Sequence, residues 1–159
     1  MTDTALRLDP VGLRELLEFA AGLDLADSGF ARAALEAEFP FQGEFVRAID
    51  AAMRADIEAG KLCDRGEDPV RYSRVFKATG ESMQFSADAV LMSAPGPRHT
   101  HPKGEIDLCF AASGEPDFDG NPPGWTVYAP GSTHAPTVRG GSMHILYLLP
   151  GGAIEFHAA

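Results

Sequence analysis

His99-Thr100-His101-Pro102-Lys103-Gly104-Glu105-Ile106-Asp107-Leu108-Cys109-Phe110 is the stretch on which the reading of this chain turns. It reads as strand, bend, strand. In an extended segment residues two apart share a face, so His99 and His101 can reach one point from a single strand. Pro102 and Gly104 predict a bend, which leaves the side that Glu105 presents open. Beyond it, Ile106, Leu108 and Phe110 line one face of a second strand over Gly104–Ala112. His134, in Pro130-Gly131-Ser132-Thr133-His134, follows Glu105 by 29 residues and must arrive from another hairpin. Three imidazoles and a carboxylate are a donor set that holds a divalent transition metal with positions open for chemistry. A lone histidine among strands is usually a core or surface residue, and H-x-H arises often by chance. The combination makes His99, His101, Glu105 and His134 the candidate ligands. The donors suit Zn, Fe, Mn or Ni, so the metal's identity is left open.

The surrounding sequence divides in two. Residues 1–60 carry 12 acids and 5 bases with 5 Gly and 2 Pro, whereas residues 61–159 carry 11 and 8 with 12 Gly and 10 Pro. The first part reads as a helical segment. Asp9-Pro10 is a suitable N-cap and first-turn pair ahead of Leu13, Leu16, Leu17 and Ala20. Ser28 is a candidate cap for a second helix carrying Ala31, Ala34 and Leu35. Phe45, Ile49, Met53 and Ile57 recur every four residues before Gly60 stops a third. The second part reads as a β domain, with short strands at Val70–Ala78, Ser82–Ala94, Trp125–Tyr128, Met143–Leu149 and Ala153–Phe156. Turns at Pro95-Gly96-Pro97, Asp119-Gly120-Asn121, Gly140-Gly141 and Pro150-Gly151-Gly152 separate them. Strands at this spacing without intervening helices predict a mainly β fold, an antiparallel jelly-roll barrel behind an N-terminal helical segment.

The formal net charge of −10 argues against nucleic acid or an anionic membrane as partner. No apolar run approaches the ~20 residues of a membrane-spanning helix. Met1-Thr2-Asp3-Thr4 has neither a basic nor an apolar leader region, so a cytoplasmic location is expected. Cys63 and Cys109 are then free thiols in a reducing compartment, with Cys109 buried near the site.

With H-x-H-x3-E on one hairpin and G-x2-H on another, the chain resembles the cupin superfamily. His99, His101 and Glu105 match the first cupin motif, and Gly131 and His134 the second. The second motif departs where Pro130 directly precedes Gly131 and where Val138 replaces a frequent Asn. The phrases Leu62-Cys63-Asp64-Arg65-Gly66, His99 to Phe110, Phe118-Asp119-Gly120, Gly124-Trp125-Thr126-Val127-Tyr128, His134-Ala135-Pro136-Thr137-Val138 and Ile145-Leu146-Tyr147-Leu148-Leu149-Pro150 resemble the 4-hydroxylaminobenzoate lyases. That resemblance implies conversion of 4-hydroxylaminobenzoate to protocatechuate with release of ammonia, as in nitroaromatic degradation. It also implies a small barrel with the metal inside and, since cupins are commonly dimers, a homodimer.

A flat aromatic acid needs apolar walls, one cation for its carboxylate, and acid–base or Lewis-acid groups near its nitrogen. Trp125 and Tyr128, with Tyr147, Phe85 and Phe110, are candidate walls. Arg98, Lys103, Arg139 and Arg74 are candidate carboxylate partners; Arg98 is the first choice because it adjoins the ligand strand, and an Arg fork suits a planar carboxylate. Glu105 is either the fourth ligand or the acid–base group. His144 is a second proton-transfer candidate, expected to face the same interior, and His157 is expected at the surface. Two other readings fit the same residues. One is a metal-dependent cupin dioxygenase acting on a small aromatic or thiol, and the other a non-catalytic cupin that binds a small aromatic acid.

Overall fold

Asp9 turns the chain before the first helix instead of capping it. In the computed structural model, which describes residues 6–157, its carboxylate accepts the Val11 and Gly12 N–H groups at 3.0 and 2.8 Å. Helix α1 then runs Arg14–Ala21 and buries Leu16, Leu17 and Ala20. Helix α2 spans Ser28–Glu38, and its cap is Asp27, one residue earlier than expected, accepting the Phe30 N–H. Helix α3, Glu44–Glu58, buries Val46, Ile49, Ala52 and Met53 while Phe45 and Ile57 are half-buried, so the buried stripe is rotated slightly from the four-residue reading. Gly60, at φ +77°, takes the left-handed conformation that ends the run. Met1 to Thr4, read for the lack of a leader, lie outside the described residues.

Nine strands follow among the described residues: β1 Arg65–Glu67, β2 Val70–Phe76, β3 Phe85–Met92, β4 His99–His101, β5 Glu105–Phe118, β6 Gly124–Tyr128, β7 Ser132–His134, β8 Val138–Pro150 and β9 Glu155–Phe156. They form a six-stranded sheet, ordered β1-β2-β3-β8-β5-β6, and a three-stranded sheet, ordered β7-β4-β9. Every strand pairing is antiparallel, as the sequence predicts for a mainly β fold. Strands β5 and β8 are longer than their apolar runs, because bulges keep them paired past Ala111. Gly140-Gly141 is therefore no turn. It lies within β8, where a Cβ on Gly141 would come within 2.0 Å of the Ser113 carbonyl oxygen.

The two faces of β5 bury different things. Ile106, Leu108 and Phe110 join Leu146 and Leu148 of β8 in one core with Leu13, Leu16, Leu17, Leu35, Ile49 and Met53 of the helical segment. On the other face Cys109 joins Val90, Met92, Phe118, Val138, Met143, Ile145 and Tyr147 inside the barrel. Each large aliphatic side chain so buried contributes ~1.5–3 kcal/mol relative to exposure. Helix α2 is further tied to β6, where the Trp125 indole N–H donates to the Phe39 carbonyl at 2.9 Å and Arg32 donates to the Trp125 carbonyl at 2.8 Å. Cys63 and Cys109 are free and buried, and burial raises the Cys63 thiol to about 11.

Candidate metal centre

Strand β4 presents His99 and His101 to the interior, and its neighbour β7 places His134 directly opposite His99 in the register. The bend at Pro102-Lys103-Gly104, closed by a Gly104 N–H bond to the His101 carbonyl, carries the chain across to the larger sheet. Glu105 thus faces the histidines from the opposing sheet and does not continue their strand. The four side chains converge, each offering one ligand atom, with all four atoms within 4.8 Å of one another.

Every imidazole is held by its Nδ1, leaving Nε2 for the centre. His99 Nδ1 donates to the Pro97 carbonyl at 3.0 Å, His101 Nδ1 meets the Ser132 hydroxyl at 2.9 Å, and His134 Nδ1 meets the Asp119 carboxylate at 2.7 Å. Inside, His99 and His134 bring their Nε2 atoms to 3.1 Å, and His101 Nε2 lies 3.2 Å from Glu105 Oε2. His101 Nε2 and both Glu105 oxygens are buried without an aligned hydrogen-bond partner. A buried polar atom left in that state costs ~1–3 kcal/mol, more if charged. Bonds of ~2.0–2.2 Å from one ion to such donors space them by roughly 3 to 3.5 Å, so a divalent metal fits these residues and satisfies the orphaned atoms.

Electrostatics favour the same occupant. Burial, only partly offset by Glu105, holds His99 below the ordinary histidine value, so its imidazole is neutral and able to ligate. Burial also acts on Glu105, but His101 and Asp107 outweigh it and keep this carboxyl below its usual value. Asp107 lies two residues along the same face, fully buried, and is pushed well up by burial and by Glu105.

The side chain of His134, 13 % exposed, is the opening of an otherwise buried cluster. Beside it the Tyr128 ring sits 4.3 Å from the His134 ring, and the Tyr128 hydroxyl donates to Asp119. A surface depression of about 310 Å³, lined by Asp117, Asp119, Gly120, Thr137 and Arg139, adjoins that opening. Arg139 is the one among the expected carboxylate partners that lines this depression. Arg98 is exposed and, as the neighbour of His99 in extended chain, leaves from the outer face. Lys103 lines a different depression with Leu23, Leu25, Phe85 and Gly151, on the helical side. Arg74 is paired with Asp88.

Two expected site residues point elsewhere. His144 does not face the interior: its Nε2 bonds Asp50 of α3 at 2.6 Å and its ring stacks on Phe110 at 5.2 Å. One step of strand parity separates it from Met143 and Ile145, which do face inward. Trp125 likewise packs beneath α2, and Phe85 and Phe110 belong to the same helix-facing core. Among the expected walls, Tyr128 and Tyr147 are the ones on the barrel side. His157 is exposed, as expected, and bonds Thr100.

Asp119, Ser132 and Asp107 are the polar neighbours that sequence reasoning passed over. Asp119 and its Gly were read as turn punctuation. Asp107 carried a usable signal, since it shares the parity of Glu105 on a strand whose other face is entirely apolar.

Residues 15–156 match the model of a family described as PnbB, 4-hydroxylaminobenzoate lyase. The chain is 30 % identical over 123 residues to a 4-hydroxylaminobenzoate lyase of Nocardioides sp. (strain LMS-CY), covering 71 % of this chain and 73 % of that protein. It is 31 % identical over 104 residues to the Pseudomonas putida protein of that name, covering 54 % and 58 %. Among solved structures it is similar to an RmlC-like cupin protein of Ralstonia eutropha, at a TM-score of 0.45 and 13 % identity over 61 % of this chain and 65 % of that one. It is similar also to the DMSP lyase DddQ of Ruegeria pomeroyi, at a TM-score of 0.46 and 21 % identity over 65 % and 66 %. Antiparallel sheets enclosing a His and Glu cluster, with a family match from α1 to the last strand, place the chain in the 4-hydroxylaminobenzoate lyase family.

Proposed function

We propose that this protein converts 4-hydroxylaminobenzoate to protocatechuate with release of ammonia, at a divalent metal held by His99, His101, Glu105 and His134. Family membership supports the substrate class. The observation that carries the site is the set of inward Nε2 atoms facing a buried, unpartnered Glu105 carboxylate. The reaction balances with one water taken up and one ammonia released: the N–OH oxygen departs as water, one water adds to the ring, and another hydrolyses the resulting C=N bond. Oxygen is not consumed, which separates this chemistry from a dioxygenase.

Bound there, a divalent metal supplies Lewis acidity toward the departing hydroxyl. The chain's own residues do the rest. Arg139 at the mouth meets the substrate carboxylate with a bidentate fork, and Tyr128 lines the way in. Glu105 also moves the proton to the leaving oxygen through a carboxylate oxygen. The barrel's buried aliphatic lining keeps bulk water from the ring. The same reading takes the enzyme as a cytoplasmic homodimer, by analogy with other cupins, and light scattering checks the assembly.

The test is metal analysis of the purified protein with ammonia release and oxygen uptake followed in air and under nitrogen. Stoichiometric metal, equal ammonia in both gases and reversible loss on chelation are expected. His101→Ala should abolish turnover while leaving the barrel folded. Full activity of chelated, metal-free protein would move the chemistry to Glu105 alone; no ammonia under any metal condition would end the lyase reading.

A further inference from the structure

Three histidines face the centre, but the group behind each ring differs in what it can do with a proton. Pro97 offers a carbonyl, which only accepts. Ser132 offers a hydroxyl, which donates or accepts, so it leaves the His101 tautomer free. Behind His134 stands Asp119, and its carboxylate is held more firmly than any other polar group near the site. Its Oδ1 accepts the Thr137 N–H at 2.8 Å, while its Oδ2 takes the Tyr128 hydroxyl and His134 Nδ1. The Asp119 N–H in turn donates to the Thr137 carbonyl at 2.8 Å, and the residue adopts φ +51° at the head of its turn. A side chain in the left-handed region persists only where its surroundings over-determine it, and here three chain segments do so: β6, β7 and the approach to β8.

We propose that Asp119 is a positioning residue that fixes His134 as the Nδ1–H tautomer, so that the Nε2 lone pair is always presented to the metal. The proposal rests on the reading of His134 as a ligand, but the tautomer itself is observable without metal. An ionised carboxylate is acceptor-only, so the proton between it and His134 sits on nitrogen. The partner behind a ligating imidazole sets which nitrogen is metallated, and its loss typically costs ~10–100-fold in metal affinity.

Asp119→Asn is the sharp variant because its shape is unchanged. The Thr137 N–H keeps the amide oxygen at the Oδ1 position, since a turned amide would set two donors against each other. The amide NH2 then occupies the Oδ2 position and donates to His134 Nδ1, which drives the proton to Nε2 and removes the lone pair from the centre. Imidazole nitrogen NMR of the metal-free protein at pH 8.5 reads the tautomer directly, and a Co²⁺ titration reads the consequence. Expected are Nδ1–H for His134 in the native protein, Nε2–H in Asp119→Asn, and Co²⁺ binding weaker by ~10–100-fold in the variant. Tyr128→Phe, which removes the other Oδ2 partner, should leave both the tautomer and Co²⁺ affinity unchanged.

An Nε2–H His134 in the native protein overturns the proposal, and that measurement needs no variant to fold. So does Asp119→Asn with an unchanged tautomer, or with native Co²⁺ affinity where the native protein binds Co²⁺. If the native protein takes up no Co²⁺ but the tautomer switches as stated, the positioning role stands and the metal reading falls.

Discussion

His134 and His144 each meet a carboxylate at hydrogen-bond distance, yet the two pairs sit on opposite sides of the larger sheet and do opposite jobs. Asp119 holds His134 by Nδ1, so the far nitrogen points at Glu105 and the other imidazoles. Asp50 holds His144 by Nε2, and that ring is closed off by Phe110 above and by Arg54, which donates to the same carboxylate at 2.8 Å. A histidine–aspartate contact is therefore uninformative by itself. The free nitrogen and its surroundings decide whether the pair presents a ligand or fastens a helix to a sheet.

The comparison breaks most visibly at turnover. His134→Ala should lose stoichiometric metal and cut ammonia release by more than the ~10–100-fold expected for an outer partner. His144→Leu should leave metal content and turnover per folded molecule intact. Equal loss of turnover in both would abolish the distinction. In place of activity, His144→Leu should lose stability, by about 1–3 kcal/mol in denaturant unfolding, because it breaks a buried bond between α3 and β8.

At the mouth, Arg139→Gln should raise KM for 4-hydroxylaminobenzoate by roughly 10- to 100-fold with kcat little changed, through loss of the charge-assisted contact with the carboxylate. Arg98→Gln and Lys103→Gln should change it less; a larger effect at either would move the carboxylate site. Trp125→Phe should cost about 1 kcal/mol of stability, through the lost bond to Phe39, with KM unchanged.

The smallest effect is a slope. Burial holds His144 below the ordinary histidine value, against the pull of Asp50. The unfolded chain, at ~6.5, takes up its proton first as the pH falls. The stability from neutral His144 is therefore complete above ~6.5 and declines as the pH drops toward the folded value. Melting temperatures of the metal-free protein at pH 8 and 5.5 should lie closer together in His144→Leu than in the native chain. An equally steep drop in the variant assigns the dependence to His99, which is displaced in the same direction.

The converging His and Glu cluster could be read from residue types and spacing, because two histidines on one strand share a face whatever the rest of the fold does. The antiparallel sheets could be read from the punctuation. What lay beyond the sequence was which side of each strand became the inside. Strand β8 is apolar on both faces, so alternation carried no sign telling His144 from Met143. Gly140-Gly141 misled for a related reason, since a bulge within a ladder and a turn between ladders ask for the same residue. Asp119 was hidden because its partners come from three separate segments, 9, 15 and 18 residues further along the chain.

Sheet residues 104–110 and 143–149 form a party wall, and a wall with two tenants cannot be altered for one of them. Cutting the chain back to residues 61–159 would strip Ile106, Leu108, Phe110, Leu146 and Leu148 of their cover, leaving a greasy plane suited to aggregation. Repacking the helices to gain thermal tolerance would press, through the same strands, on the carboxylates at positions 105 and 107. Residues 6–60 are in that sense the mould against which the chamber is cast, and anyone seeking a minimal version of this scaffold must carry them along.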